Sequence, residues 1–229
     1  MTAVVEEAPA KVNLVLHVGP RGANGLHELC SLFASVDLAD TVTVRAADRD
    51  EVLCEPPIEG RNLASDAVAA LRSALDGDLP PLRVEIEKRI PVAAGLGGGS
   101  ADAAAALRAA NRIAGEPLAA GDLVSLAEGL GSDVPSQVEP RHALVSGTGD
   151  RVEPIELPPM TLVLVPSEAG LATGHVYAEA DRIGSTREAL DPAALRELAA
   201  RPLDRLAGAL ENDLEPAAVA LRPELVDTR

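Results

Sequence analysis

Aromatic side chains are almost missing from this chain: it has no Trp, and Phe33 and Tyr177 stand alone as Phe and Tyr. A core without them has to be built from Leu, Val, Ile and Ala, so an aromatic placed near the surface would carry information. Lysine is as scarce, with Lys11 and Lys88 the only two, and every other fixed cation is an arginine. The formal net charge is −16, which repels nucleic acid and anionic membrane surfaces and excludes both as expected partners. An anionic ligand would need the few basic residues concentrated at its site, which draws attention to Lys11, Lys88 and Arg89. Only two cysteines occur, Cys30 and Cys54, without C-x-x-C spacing, so free thiols in a reducing compartment are expected. His17, His27, His142 and His175 show no metal-ligand spacing, and no metal-ligating residues are nominated. There is no basic segment followed by an apolar stretch at the start and no apolar run of membrane-spanning length, so a cytoplasmic protein is expected.

What the chain does have is glycine, concentrated at one place. Residues Pro91 to Asn111 read PVAAGLGGGSADAAAALRAAN. Glycine loses the most conformational freedom in a helix or strand, so Gly95, Gly97, Gly98 and Gly99 predict a loop. Ser100 then stands at an expected N-cap with Asp102 in the first turn, and Ala103 to Ala110 has close to the best helix-forming composition. A loop without Cβ atoms that feeds a helix N-terminus suits an anion, the simplest being phosphate. The Walker loop is excluded because no Gly-Lys dipeptide exists. The dinucleotide fingerprint fails because Ser100 replaces its last glycine, and no G-x-S-x-G elbow is present. The competing reading is that the glycines only let a helix approach a sheet closely.

Elsewhere, alternation over Val12 to Val18 predicts a strand, followed by a turn-rich loop from Gly19 to Gly25. Ser31 to Val36 and Thr41 to Val44 read as further strands of an antiparallel meander. Asn62 to Leu75 has helical spacing and stops at Gly77, and Leu82, Val84 and Ile86 alternate as a strand leading to the glycine loop. Asp122 caps a short helix, after which Gly131-Ser132-Asp133-Val134-Pro135 breaks the pattern. Proline density over Pro154 to Pro159, before an apolar strand at Thr161 to Val165, marks a domain boundary, dividing the chain into residues 1–157 and 158–229. Beyond it the pattern is mostly helical, with Pro192 and Pro202 near helix starts. The fold class expected is α+β in two domains, the first with a mostly antiparallel sheet and helices.

Phosphoryl transfer needs few reactive groups: a phosphate cradle, a cation, Mg²⁺ and a group that orients the acceptor hydroxyl. Asp133 in its Gly/Pro-flanked turn is a candidate for the last, although composition alone favours a helix-end or Asx-turn aspartate. Three separated segments, Ala8-Pro9-Ala10-Lys11-Val12-Asn13-Leu14, Gly95 to Ala105, and Gly131 to Pro135, resemble the motifs of the GHMP small-molecule kinases. Asn24 to Leu29, Arg61-Asn62-Leu63 and Glu211 to Pro216 extend the resemblance from about residue 6 to the end.

The resemblance implies a two-domain GHMP kinase that uses ATP and Mg²⁺ on an alcohol. More narrowly it implies the branch acting on the erythritol 2-hydroxyl of cytidine diphosphate methylerythritol in non-mevalonate isoprenoid synthesis. It implies Asp133 as base and Lys11 as the group that stabilises it. The stretch holding Pro91, Gly95, Leu96, Gly97, Gly98, Gly99, Ser100 and Ala101 would wrap the triphosphate and the Mg²⁺, and Asn62 and Lys88 would lie around the adenine. Asn13 would orient the acceptor, His27 would bind the cytosine, and Tyr177 would stack on it with Thr173 nearby. Leu26 and Ser136 replace residues that are aromatic in the family, and Glu139-Pro140-Arg141 replaces a glycine-containing turn. The family's C-terminal glycine-serine motif, expected after Pro223-Glu224-Leu225, is not met before Arg229, so a C-terminal α/β domain left incomplete is the expectation. A monomer or homodimer fits. Another kinase of the family, of homoserine or mevalonate type, or a nucleotide-binding chain without turnover are the alternatives.

Overall fold

The computed structural model describes residues 3–58, 60–167 and 170–228. Strands β1 (Val4–Arg21), β2 (His27–Ala46) and β3 (Glu51–Glu55) come first, then helix α1 (Leu63–Ala74), β4 (Leu82–Glu87), and helices α2 (Gly98–Ile113), α3 (Ala120–Glu128) and α4 (Val134–Val138). After them lie β5 (Ala143–Gly147), β6 (Arg151–Pro154), α5 (Thr173–Ile183), α6 (Pro192–Ala199), α7 (Leu203–Ala207), β7 (Glu211–Asn212), α8 (Glu215–Leu221) and a closing 3₁₀ turn (Pro223–Thr228). The chain is thus α+β, as its pattern suggests. No helix among the described residues is long and apolar enough to cross a membrane.

Contacts divide the chain into two compact units. The first takes Met1–Lys11, Ser35–Val92 and Leu96–Pro140; the second takes Val12–Ala34, Ala93–Gly95 and Arg141–Arg229. Their borders differ from the single boundary expected between 157 and 158, because β1 and β2 are long strands that contribute residues to both.

In the first unit β4 pairs antiparallel with β2, Thr43 opposite Glu85, and parallel with β3, Val52 opposite Val84. Leu82, Val84 and Ile86 of β4 are buried, the face that the alternation assigns to the core. Helices α1 to α4, with Ala8 of β1 and Val42 and Val44 of β2, pack with them in one apolar cluster. Nearly all of α2 is buried from Ala101 to Ala110, which its alanines allow because their small side chains let neighbouring elements come close. Asn62 caps α1, its Oδ1 accepting from the Ala64 N–H at 2.9 Å.

The second unit pairs β2 antiparallel with β5, Ser31 opposite Val145, and β5 with β6 through the turn at Gly147. β7 runs parallel to β1. One core gathers Leu14, Val15, Leu32, Leu144, Leu195 and Leu206; a smaller one holds Val176, Ala180 and Ala217 of α5 and α8.

Four expectations need correcting. The first strand begins at Val4, not Val12: Glu6 is buried on its inner face, paired with Arg108 and Arg112 of α2, and a charge at a core position hides the alternation. The two strands expected in 31–44 are one, because the polar stretch around Asp40 that looks like a turn is ladder, with Asp40 fully buried. The arrangement is not a simple meander, since β3–β4 and β1–β7 are parallel. No strand forms at Thr161 to Val165; Leu162 packs into the second unit's core while Val163 is 88% exposed. The alternation there is real, but a strand also needs a backbone partner, which periodicity does not provide.

Candidate active site

The glycine loop and α2 meet the rest of the first unit through two lysines. α2 begins at Gly98 with Gly97 as its N-cap residue in the left-handed region (φ 70°), so Ser100 lies inside the first turn and does not cap. Asp102, expected in that turn, sits one step further in. The Lys11 N–H donates to the Leu96 carbonyl at 3.0 Å, and the Lys11 stem crosses Gly97 so closely that a Cβ there would lie 3.0 Å from its Cγ. Gly97 is therefore required twice, by its φ and by the lysine against it. Gly98 has no more room, because a Cβ would meet Ile90 Cγ2 at 3.0 Å and Lys88 Nζ at 3.2 Å. Gly99 differs: it is exposed, and nothing lies within 4 Å of where its Cβ would be. Gly95 also faces open space but has φ 75°. The first amides of α2 have no acceptor within the helix and carry the positive end of its dipole.

Lys11 reaches Asp133, Nζ to Oδ2, at 3.3 Å, with the lysine side chain 8% and the aspartate 32% exposed. Asp133 occupies the residue before α4, with Pro135 in the helix's first turn, yet its side chain makes no capping bond. The carboxylate thus turns to the lysine and not to its own helix. The Ser136 hydroxyl donates to the Asp133 carbonyl at 2.8 Å, closing the turn.

Lys88 lies inside the first unit. Its Nζ donates to Asp40 at 2.5 Å and to Asp102 at 2.7 Å, and all three side chains are nearly or fully buried. Asp40 also accepts from the Arg89 and Ile90 N–H groups at 2.5 and 2.8 Å. Burial pushes the Asp102 carboxyl up to about 7, against the pull of Lys88 and with the help of Asp40. Burial alone would lower the Lys88 ammonium, but Asp102 and Asp40 outweigh it and hold it above its ordinary value. The ammonium expected beside an adenine is thus turned inward to two carboxylates. Asn62, expected there too, spends its Oδ1 on the cap of α1.

A separate cluster forms in the second unit. His27 is buried, its Nδ1–H donates to the Gly19 carbonyl at 2.9 Å, and Nε2 lies 3.3 Å from Asp181 Oδ1. The Tyr177 ring is 5.2 Å from the imidazole, centroid to centroid, and tilted by 35°. Thr173, Tyr177 and Asp181 recur every four residues on α5 and so share one face. Asn13 donates to Ser31 Oγ at 2.8 Å and lines a groove of about 270 Å³ with Leu162, Leu164, Asn212 and Glu215. Leu26 is 55% exposed.

The structure thus brings Lys11, Asp133, Leu96 and Gly97 together in one unit, and His27 with Tyr177 in the other. Sequence reasoning missed Asp40 and Asp181, and gave Asp102 and Arg108 no role. Asp102 had a signal, as the one acid in an otherwise apolar alanine run, and Asp181 had its spacing from Tyr177; nothing local marked Asp40. Among the described residues no group of three or more His, Cys, Asp or Glu could hold a metal ion.

With this geometry in hand, residues 62–139 match the family described as GHMP kinases N terminal domain. A 4-diphosphocytidyl-2-C-methyl-D-erythritol kinase of Streptomyces avermitilis is 39% identical over 99% of this chain and 80% of its own length. The crystal structure of a 4-(cytidine 5'-diphospho)-2C-methyl-D-erythritol kinase superposes with a TM-score of 0.74 at 35% identity, covering 99% of this chain and 81% of that one. A homoserine kinase from Cytophaga hutchinsonii has the same fold (TM-score 0.60) at 20% identity, covering 99% and 77%.

Proposed function

The chain belongs to the GHMP kinase family and, within it, to the 4-diphosphocytidyl-2-C-methyl-D-erythritol kinases, and on that premise we propose that it phosphorylates the 2-hydroxyl of 4-diphosphocytidyl-2-C-methyl-D-erythritol with ATP. The observation that carries the assignment of roles is the meeting of Lys11, Gly97 and Asp133 from three distant segments. When bound, ATP supplies the phosphoryl group and Mg²⁺ offsets the charge on its phosphate oxygens.

The residues present suit such a group. The first amides of α2 point out beside Gly99, which leaves open space where any other residue would place a side chain. With no acidic cage for a metal among the described residues, Mg²⁺ would be held chiefly through the phosphates at this loop. Asp133 takes the proton of the acceptor hydroxyl on a carboxylate oxygen. Lys11, at 3.3 Å, holds that carboxylate in place and offsets the charge gathering on the transferred group. Positioning and electrostatics suffice, and no covalent link to the chain is needed. Tyr177, Thr173 and His27 are assigned to the nucleobase, Asn13 to the acceptor, and Asn62 with the stem of Lys88 to the adenine.

The test is ADP release by the purified chain with ATP, Mg²⁺ and a panel of acceptors. Turnover with the cytidine diphosphate substrate alone supports the proposal; preference for homoserine or mevalonate, or ATP binding without ADP from any acceptor, refutes it. Asp133→Asn should lower kcat by about 10²–10⁴-fold, the range for loss of a general base, and unchanged turnover removes Asp133 from the mechanism.

A further inference from the structure

One arginine touches every element that carries the catalytic pair. Arg108 projects from α2, fully two turns beyond the glycine loop, and its side chain is 15% exposed. Its Nε donates to Glu6 Oε2 at 3.0 Å and its Nη2 to the Glu7 carbonyl at 2.9 Å, both on β1. Its Nη1 donates to the Gln137 carbonyl at 2.7 Å, with the Val138 carbonyl at 3.4 Å, both in α4. Glu7 stands four residues before Lys11 on β1, and Gln137 four residues after Asp133. A guanidinium is a rigid planar fork, so the two carbonyls it serves are held at a set separation. Burial of Glu6 beneath the same group fixes the plane of the fork.

From this we propose that Arg108 is a positioning residue that sets the Lys11–Asp133 spacing by tying β1 to α4 across α2. It touches no reacting atom. The proposal rests on the assignment of Asp133 and Lys11 above. Hydrophobic packing of α4 on α2 leaves sliding open, since alanine surfaces are smooth; four directed hydrogen bonds do not. Lysine at this position keeps the charge but cannot serve both carbonyls with fixed geometry.

The experiment compares Arg108→Lys with Arg72→Lys. Arg72, on α1, makes four hydrogen bonds of its own, to Asp50, Leu79 and Pro80, and none to β1, α2 or α4. Arg108→Lys should lower kcat by about 10- to 100-fold, the scale of a displacement near 1 Å at a catalytic pair, while KM for ATP stays within about threefold. Arg72→Lys should leave kcat near wild type. Arg108→Ala assayed with added ethylguanidine, below denaturing concentration, should regain kcat, whereas Arg72→Ala should gain nothing. Equal kcat for the two lysine variants, a loss confined to KM, or no rescue by ethylguanidine overturns the inference. Asp133→Asn is measured alongside: if it retains turnover, the assignment of the pair is at fault; if it is inactive while Arg108→Lys behaves like Arg72→Lys, only the positioning role falls.

Discussion

Gly97 and Gly99 are two residues apart and do different work. Gly97 has φ 70° and the Lys11 stem against it, whereas Gly99 sits in the first turn of α2 with open space beyond its Cα. Replacing Gly97 with Ala should therefore destabilise the chain by about 1–2 kcal/mol from the left-handed backbone alone, with the Lys11 contact adding to it. Replacing Gly99 with Ala should stabilise the helix by about 0.5–1 kcal/mol. The same change should raise KM for ATP several-fold, because a methyl group would stand where a phosphate approaches the amides. Thermal melts and steady-state ATP titrations check both; a Gly99→Ala variant that is more stable and unchanged in KM would remove that glycine from the phosphate site. Composition alone could show a loop before a helix, but the loop expected over Gly95, Gly97, Gly98 and Gly99 ends at Gly97, since Gly98 and Gly99 already form the first turn of α2. It could not separate the two glycines, since the difference lies in what Lys11, 86 residues earlier in the chain, does at one of them and not at the other.

At the level of elements, the Lys88 cluster joins the end of β4, the loop that follows and the first turns of α2. Asp40 on β2 holds the Arg89 and Ile90 amides while Lys88 bridges it to Asp102, so both ends of the glycine loop are tied to one buried ammonium. Two carboxylates share that single cation, and burial raises Asp102 to about 7. An acid raised in the folded state means that the fold binds more protons than the unfolded chain. Its stabilising contribution is thus complete below about pH 4 and is lost as pH rises through about 7. Lys88, raised above 10.5, contributes evenly across that window. Wild type should therefore lose more thermal stability between pH 5 and 8 than Asp102→Asn does. A gap between the two melting curves that does not change with pH would rule this out. The helix itself was legible from its alanines, and the strand before it from alternation. The clamp between them was not, because Asp40 reads as a loop residue until a lysine 48 positions away is brought beside it.

For the whole molecule, a net charge of −16 sets up self-repulsion that any compact state must bear. Its visible ion pairs on the surface, such as Arg196 with Glu153 and Arg182 with Glu179, offset little of it, since water and salt screen exposed pairs. Raising KCl from about 0.01 to 0.1 M shortens the Debye length from about 30 to 10 Å and should raise the melting temperature. A fall in Tm over that range would mean that the surface pairs outweigh the repulsion. Charge and composition are sums over residues, so the sequence by itself determined the aliphatic core, the α+β pattern and a loop that leads into an alanine-rich helix. The family motifs, too, are local strings and could be read directly. Tertiary structure alone decided that the Asp133 carboxylate turns to Lys11, that the Lys88 ammonium faces inward, that Asp181 stands behind His27, and that Arg108 joins β1 to α4. Each is a meeting of side chains far apart in the chain, and such a meeting exists only once the strands and helices have packed.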